Sequence, residues 1–380
     1  MIYILSGVET INKGAELMLY AILQEIREKD PEAIVYLPTA RMPGGLQSVR
    51  TSLDIRELPH HGFVSRVAKM RITGALNRIG LWSDFLNEVK PVPGADFFLD
   101  ASGLHFTDQM GFEKPMIRYW NRILDHYHRQ GTRIVFLPQA FGPLEKETTR
   151  QAVHALDENA DLIFARDQVS AVYMKNILKH PEKLHLARDF TTTVNGIGRE
   201  DLDTLKGKVC IIPNYQMVRK GVMDKESYVS YLASLADALE KAGHACYFLD
   251  HENDAPKVLT DSRISGKYPI VTGLNALEIK YVIGGASLCI TSRFHGAVSA
   301  LNCAVPCLAT SWNHKYRELL AGFGQENCLL PVDRPETSIE MALSMLEEHR
   351  HGEIVRCLQE KAGDLQKENR EMWDLIWSLK

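Results

Sequence analysis

The sequence predicts an α/β fold of two doubly wound halves, each a parallel sheet flanked by helices, followed by a helical tail. Three observations predict it. Short apolar runs alternate with amphipathic stretches along most of the chain, as parallel β–α units require. The length of 380 residues exceeds one ordinary core and suits two domains. A polar stretch, NGIGREDLDTLKGK at 195–208, carries three glycines and six charged residues and interrupts the alternation near the middle, as a linker would.

In the first half, strands are expected at 2–6 (IYILS), 33–37 (AIVYL), 96–100 (DFFLD), 133–137 (RIVFL), 161–165 (DLIFA) and 183–187. Between the first two, residues 14–29 place Leu17, Leu19, Ile22, Leu23 and Ile26 near a 3.6-residue period, and 115–130 and 145–157 read as helices in the same way. The second half repeats the scheme, with strands at 208–213, 245–250, 268–272, 286–291 and 305–310 and a helix at 226–242. From 338 onward the composition is helical. In the final stretch, EMWDLIWSLK, Met372, Leu375, Ile376 and Leu379 share a face that must pack against something. The expected domains are therefore 1–200 and 208–337, facing each other across a cleft, with the tail at 338–380.

Composition narrows the function. Apolar residues make up 45% and charged residues 24%, the balance of a globular protein. Lysine and arginine (44) against aspartate and glutamate (48) give a net charge of −4, which argues against a nucleic-acid binder. No run approaches the roughly 20 apolar residues of a membrane span, and MIYILSGVET lacks the basic and apolar regions of a secretory signal. All seven cysteines lie beyond residue 209 and none forms a CxxC, so a reducing, cytoplasmic setting is expected, with neither structural zinc nor a disulfide framework. Cys210, Cys246 and Cys289 sit in apolar runs as small core residues.

In open parallel sheets, ligands bind beyond the carboxyl ends of strands, where loops and helix N-termini converge. Those positions hold most of the chemically versatile residues. After the first strand, Gly7 and Gly14 bracket a loop that includes Asn12 and opens a helix, a setting for an anion or a sugar hydroxyl. Asp100 begins DASG, and Gln139 lies in PQAFGP. Arg166 precedes Asp167, a natural helix cap, and Arg166 itself is either a ligand group or half of a structural ion pair. In the second half Asn214 follows one strand and His251-Glu252-Asn253-Asp254 another; the latter reads as a metal-ligand cluster or as a solvated loop. The densest signal is Thr291-Ser292-Arg293-Phe294-His295-Gly296-Ala297. Arginine there offers a planar fork of donors for phosphate or carboxylate, and histidine a proton near neutral pH. One β–α unit later comes Thr310-Ser311-Trp312-Asn313-His314-Lys315.

The block TSRFHGAVSALNCAVPCLATSWNHKY resembles the C-terminal signature of the polysaccharide pyruvyl transferase family, and NKG at 12–14, PQAFGP at 138–143 and FARDQVSAVYMK at 164–175 fit the same family. The resemblance spans roughly residues 1–330. Two places depart from it: Ala15-Glu16 stands where the family has an acidic residue directly after the glycine, and DASG replaces a run of glycines. The resemblance implies a GT-B-like pair of Rossmann-like domains, with the C-terminal helix returning to the first. It further implies transfer of the enolpyruvyl group of phosphoenolpyruvate to two hydroxyls of a sugar in a surface or capsular polysaccharide precursor, forming a pyruvate ketal and releasing phosphate. On that reading His295 is the proton donor, and Arg293, Arg166, Ser292 and Lys315 bind phosphoenolpyruvate on the side of the second domain. Asn12, Gly14, Asp100, Gln139, Asn214, His251 and Asn313 line the acceptor side or the cleft. No metal and no cofactor is expected, because the arginines can neutralise the donor's charge.

Residues 60–82 carry Arg66, Lys69, Arg71 and Arg78 and no acidic residue. They read either as an ordinary surface helix or as an interfacial helix that approaches anionic lipid at the inner face of the membrane, which a lipid-linked oligosaccharide acceptor would favour. Two other functions stand beside the main one: a nucleotide-sugar glycosyltransferase or epimerase on the same architecture, and a catalytically silent glycan-binding protein.

Overall fold

The computed structural model describes residues 1–49, 51–59, 91–252, 256–310 and 315–379. The basic stretch 60–82, Asn313 and the Asn253-Asp254 end of the acidic loop lie outside the described residues. Two compact units divide the chain: Met1–Ile11, Met18–Phe190 and Glu368–Lys380 form the first, and Asn12–Leu17 with Thr191–Lys367 the second.

The first unit is built on a seven-stranded parallel sheet of order β3-β2-β1-β4-β5-β6-β7, the doubly wound order with one further strand at its edge. Its strands are β1 (Ile2–Ser6), β2 (Ile34–Leu37), β3 (Asp54–Glu57), β4 (Phe97–Asp100), β5 (Arg133–Gln139), β6 (Leu162–Ala165) and β7 (Leu184–Leu186). Strands β4 and β6 are buried along their whole length, as expected of a parallel sheet covered on both faces. Strand β3 is absent from the sequence expectations for a physical reason: its residues, DIRE, lie at an open edge and are mostly exposed, so no apolar run marks it. The helices Lys13–Lys29, Lys114–Arg129 and Glu147–Asn159 match the helical patterns within two residues. The C-terminal residues 368–380 belong to this unit. Trp373 and Trp377 stack at 5.5 Å, Trp377 sets its edge against Tyr3 (6.2 Å) and Phe97 (5.7 Å), and Trp373 meets Phe190 at 6.1 Å. The buried face of the tail is thus carried by its two tryptophans together with Met372 and Ile376, while Leu375 and Leu379 are only half-buried.

The second unit has a five-stranded parallel sheet of order β10-β9-β8-β11-β12: β8 (Val209–Ile212), β9 (Cys246–Leu249), β10 (Ile270–Val271), β11 (Leu288–Thr291) and β12 (Cys307–Ala309). Cys210, Cys289 and Cys307 stand beside one another across β8, β11 and β12, all fully buried, in the role of small core residues. The stretch 195–208 packs closely here. A Cβ on Gly196 would come within 2.4 Å of the Tyr281 nitrogen and one on Gly198 within 2.1 Å of the Tyr281 ring, while Leu202 and Leu205 are buried. Among the described residues no helix is long and apolar enough to cross a membrane.

Candidate active site

In a doubly wound sheet the switch point is where successive connections run to opposite faces; in the second unit it falls between β8 and β11. Asn214 follows β8 there, and the TSRFHG turn follows β11. Ser292 and Asn214 stitch the two strand ends together. Asn214 Nδ2 donates to the Ser292 carbonyl (2.9 Å), which also accepts from the Tyr316 hydroxyl (2.7 Å). The Ser292 hydroxyl lies 2.9 Å from that of Tyr228 and 2.6 Å from that of Thr310. Both Asn214 and Ser292 are buried, so their polar groups serve to hold the turn rigid. Arg293 is the cap residue of the helix Phe294–Asn302, and its N–H donates to the Thr291 hydroxyl (2.9 Å). His295 is therefore in the first helical turn, half-buried, beside backbone N–H groups that have no partner within the helix. Gly296 lets that turn close on the sheet, since a Cβ there would lie 2.8 Å from the Thr291 hydroxyl and 3.1 Å from Ile212.

The opening turn of the helix Lys13–Lys29 completes this site within the second unit. Asn12 caps it, its side-chain oxygen accepting from the N–H groups of Gly14 (2.9 Å) and Ala15 (3.2 Å). Gly14 has no room for a side chain: an added Cβ would lie 2.1 Å from Nδ1 of His295 and 2.4 Å from its Cγ. The imidazole lies directly against the glycine backbone. Lys13 Nζ pairs with Glu16 at 2.6 Å. Burial pushes the Glu16 carboxyl up from its ordinary value, partly offset by Lys13 and by the backbone N–H of Ala276, which donates to it.

From β9 come Asp250, His251 and Glu252. Of the cluster expected as a metal site or a solvated loop, His251 and Glu252 are described, and among the described residues no group of three metal-ligating side chains forms. His251 is buried, and burial together with the positive charge of Arg293, His295 and Lys13 holds its pKa well below the ordinary value, so the ring is neutral. Its Nδ1 has no hydrogen-bond partner among the described residues. Glu252 pairs with the Arg293 guanidinium. Lys315 opens the helix Lys315–Gly322.

Asp100, Gln139 and Arg166 belong to the first unit. Asp100 and Gln139 are fully buried at the ends of β4 and β5. Asp100 accepts from the Ser102 N–H (3.2 Å) and hydroxyl (3.0 Å), and more weakly from Gln139 (3.4 Å). Gly7 makes room for this turn, because a Cβ there would come within 2.4 Å of the Ser102 nitrogen and hydroxyl. His105 lies near Asp100 and is packed by Phe106, Phe112 and Trp120; burial lowers its pKa, against the Asp100 charge. Arg166 follows β6, its N–H donating to the Gln139 carbonyl (3.0 Å), and Asp167 caps the helix Gln168–Lys175.

Of the residues singled out in sequence, Asn12, Gly14, Asn214, His251, Ser292, Arg293 and His295 come together in the second unit. Lys13 and Glu16 join them without having been expected as site residues, and Glu252, expected only in a metal cluster or a solvated loop, joins as the partner of Arg293. Each sits at a strand end or in a first helical turn, and that position was their one sequence signal.

Solved structures with this fold extend along the whole chain. The UDP-GlcNAc 2-epimerase of Neisseria meningitidis bound to UDP-GlcNAc aligns at 10% identity, covering 100% of both chains with a TM-score of 0.58. The HepE protein of Anabaena in complex with UDP-glucose aligns at 12% identity, covering 99% of both chains with a TM-score of 0.57. The UDP-GlcNAc 2-epimerase of Methanocaldococcus jannaschii aligns at 12% identity over 92% of this chain and 93% of that one, with a TM-score of 0.55. These likenesses establish a GT-B-like α/β fold. The family model for polysaccharide pyruvyl transferase matches residues 12–314, from the cap of the first helix to beyond β12. Most of the chain, including Asn12, Gly14, Asn214, His251, Arg293 and His295, lies within that match, and the protein belongs to the polysaccharide pyruvyl transferase family.

Proposed function

We propose that this transferase moves the enolpyruvyl group of phosphoenolpyruvate onto two hydroxyls of a sugar in a polysaccharide precursor. The observation that carries the reading is the pairing of Arg293 with His295 in one turn at the switch point, the imidazole lying against Gly14 and Lys13 close by. Phosphoenolpyruvate carries a phosphate and a carboxylate, so it needs more than one cationic contact. Arg293 offers a forked one, Lys13 a point charge, and the first turn of the Phe294–Asn302 helix adds backbone N–H groups.

His295 gives its proton to the methylene carbon, which becomes a methyl group, and C2 takes on oxocarbenium character. One sugar hydroxyl bonds to C2 and passes its proton to the imidazole of His295, which restores the acid. The C2–O bond to phosphate then breaks, the second hydroxyl bonds to C2 and closes the ketal, and its proton leaves on the phosphate. General acid catalysis of this kind is worth on the order of 10²–10⁴-fold.

His295→Ala is expected to abolish phosphate release from phosphoenolpyruvate across a panel of sugar acceptors while still binding phosphoenolpyruvate. Arg293→Ala is expected to weaken that binding. Normal turnover by the histidine variant would remove it from the chemistry. A nucleotide-sugar activity, suggested only by fold, would instead release nucleotide and no phosphate from phosphoenolpyruvate.

A further inference from the structure

We propose that Glu252 is a positioning residue that sets the plane of the Arg293 guanidinium for the donor anion. The inference rests on the reading of Arg293 as the donor-binding group and adds the residue that makes it competent. Strands β9 and β11 lie on opposite sides of β8, so the loops that carry Glu252 and Arg293 start about two strand spacings apart, roughly 10 Å. Only two long side chains reaching toward each other close that gap, and they meet as Arg293 Nη1 and Glu252 Oε2 over the end of β8.

Thr291 and the cap geometry fix the arginine backbone, which leaves the far end of the side chain as its remaining freedom. That end is deeply sequestered: the Arg293 side chain is 7% exposed and that of Glu252 23%. A guanidinium so far from water needs a counter-charge, and a carboxylate on one edge orients the planar fork. His251 next to it is neutral, and Glu252 sets a carboxylate against Arg293 as Glu16 does against Lys13.

The test is calorimetric binding of phosphoenolpyruvate to the full-length protein, which needs no acceptor. Glu252→Ala is expected to weaken binding about tenfold or more, the scale of one charge-assisted hydrogen bond. Glu252→Gln, which keeps the acceptor oxygen and the length, recovers most of that loss. Glu252→Asp, one methylene short of the span, recovers little. In an Arg293→Ala background the Glu252→Ala change has no further effect. Tighter binding by Glu252→Ala, as simple removal of negative charge would produce, overturns the proposal, and so does an additive double variant. If Glu252→Ala fails to fold, the contrast between Gln and Asp still decides, equal binding by the two counting against it. Should Arg293→Ala bind phosphoenolpyruvate normally, the donor-site reading itself fails. Weak binding by Arg293→Ala with normal binding by Glu252→Ala sinks only the positioning role.

Discussion

At position 14 the missing side chain leaves room for the imidazole of His295. Helix propensity favours alanine over glycine by about 1 kcal/mol, so glycine in the first turn of a helix calls for a local reason. The reason is the imidazole of His295, 2.1 Å from where a Cβ would stand. Gly14→Ala forces the imidazole out of its seat and is expected to lower stability by about 1–3 kcal/mol, while turnover falls by about 10²-fold, the scale at which a displacement near 1 Å disables catalysis. Steady-state kinetics beside a thermal melt would check both halves; unchanged turnover would mean that the ring needs no fixed seat. His251 gives a second consequence, in pH. Its folded pKa is depressed, so below its ordinary value of 6.5 the unfolded chain binds a proton that the folded one does not. Stability is then full above about pH 6.5 and falls on acidification, by up to about 1.4 kcal/mol per pH unit for one proton. His251→Gln removes that share of the slope, as denaturant melts at pH 5 and pH 7 would record. His105 and His185 shift in the same direction, so some slope remains.

Among the elements, the parallel strands were the most legible. Burial on both faces forces continuous apolar runs such as VCII in β8 and LCIT in β11, and no solvated face dilutes them. Edge strand β3 escaped for the converse reason. The C-terminal helix Glu348–Trp377 was legible as a helix and as amphipathic, but the residues that seat it were not. The apolar pattern points to Met372, Leu375, Ile376 and Leu379, whereas the most deeply seated large side chains are Trp373, 2% exposed, and Trp377, 7% exposed. Trp377→Ala empties a site bounded by Trp373, Tyr3 and Phe97 and is expected to cost about 3–5 kcal/mol. Chemical denaturation followed by tryptophan fluorescence would measure it, and a loss under 1 kcal/mol would show that the tail contributes little to the first unit.

Across the whole molecule, two doubly wound sheets make two sets of strand ends, and chemistry collects where the strand order reverses. The sequence alone determined the fold class, the strands with apolar runs, and the Arg293–His295 block, because each is a local pattern set by burial period or by residues two positions apart. The tertiary structure decided the rest. Nothing local relates Gly14 to His295, or Glu252 to Arg293; these partners lie far apart in sequence and meet through helix packing and strand order. It also decided that Ser292 and Asn214 face inward and brace the turn, because a hydroxyl or amide at a strand end serves a ligand or a neighbouring strand equally well until the neighbours are known. Local periodicity reports how much of an element is buried, whereas the partner each polar group finds there depends on strand order, which no short window of sequence contains.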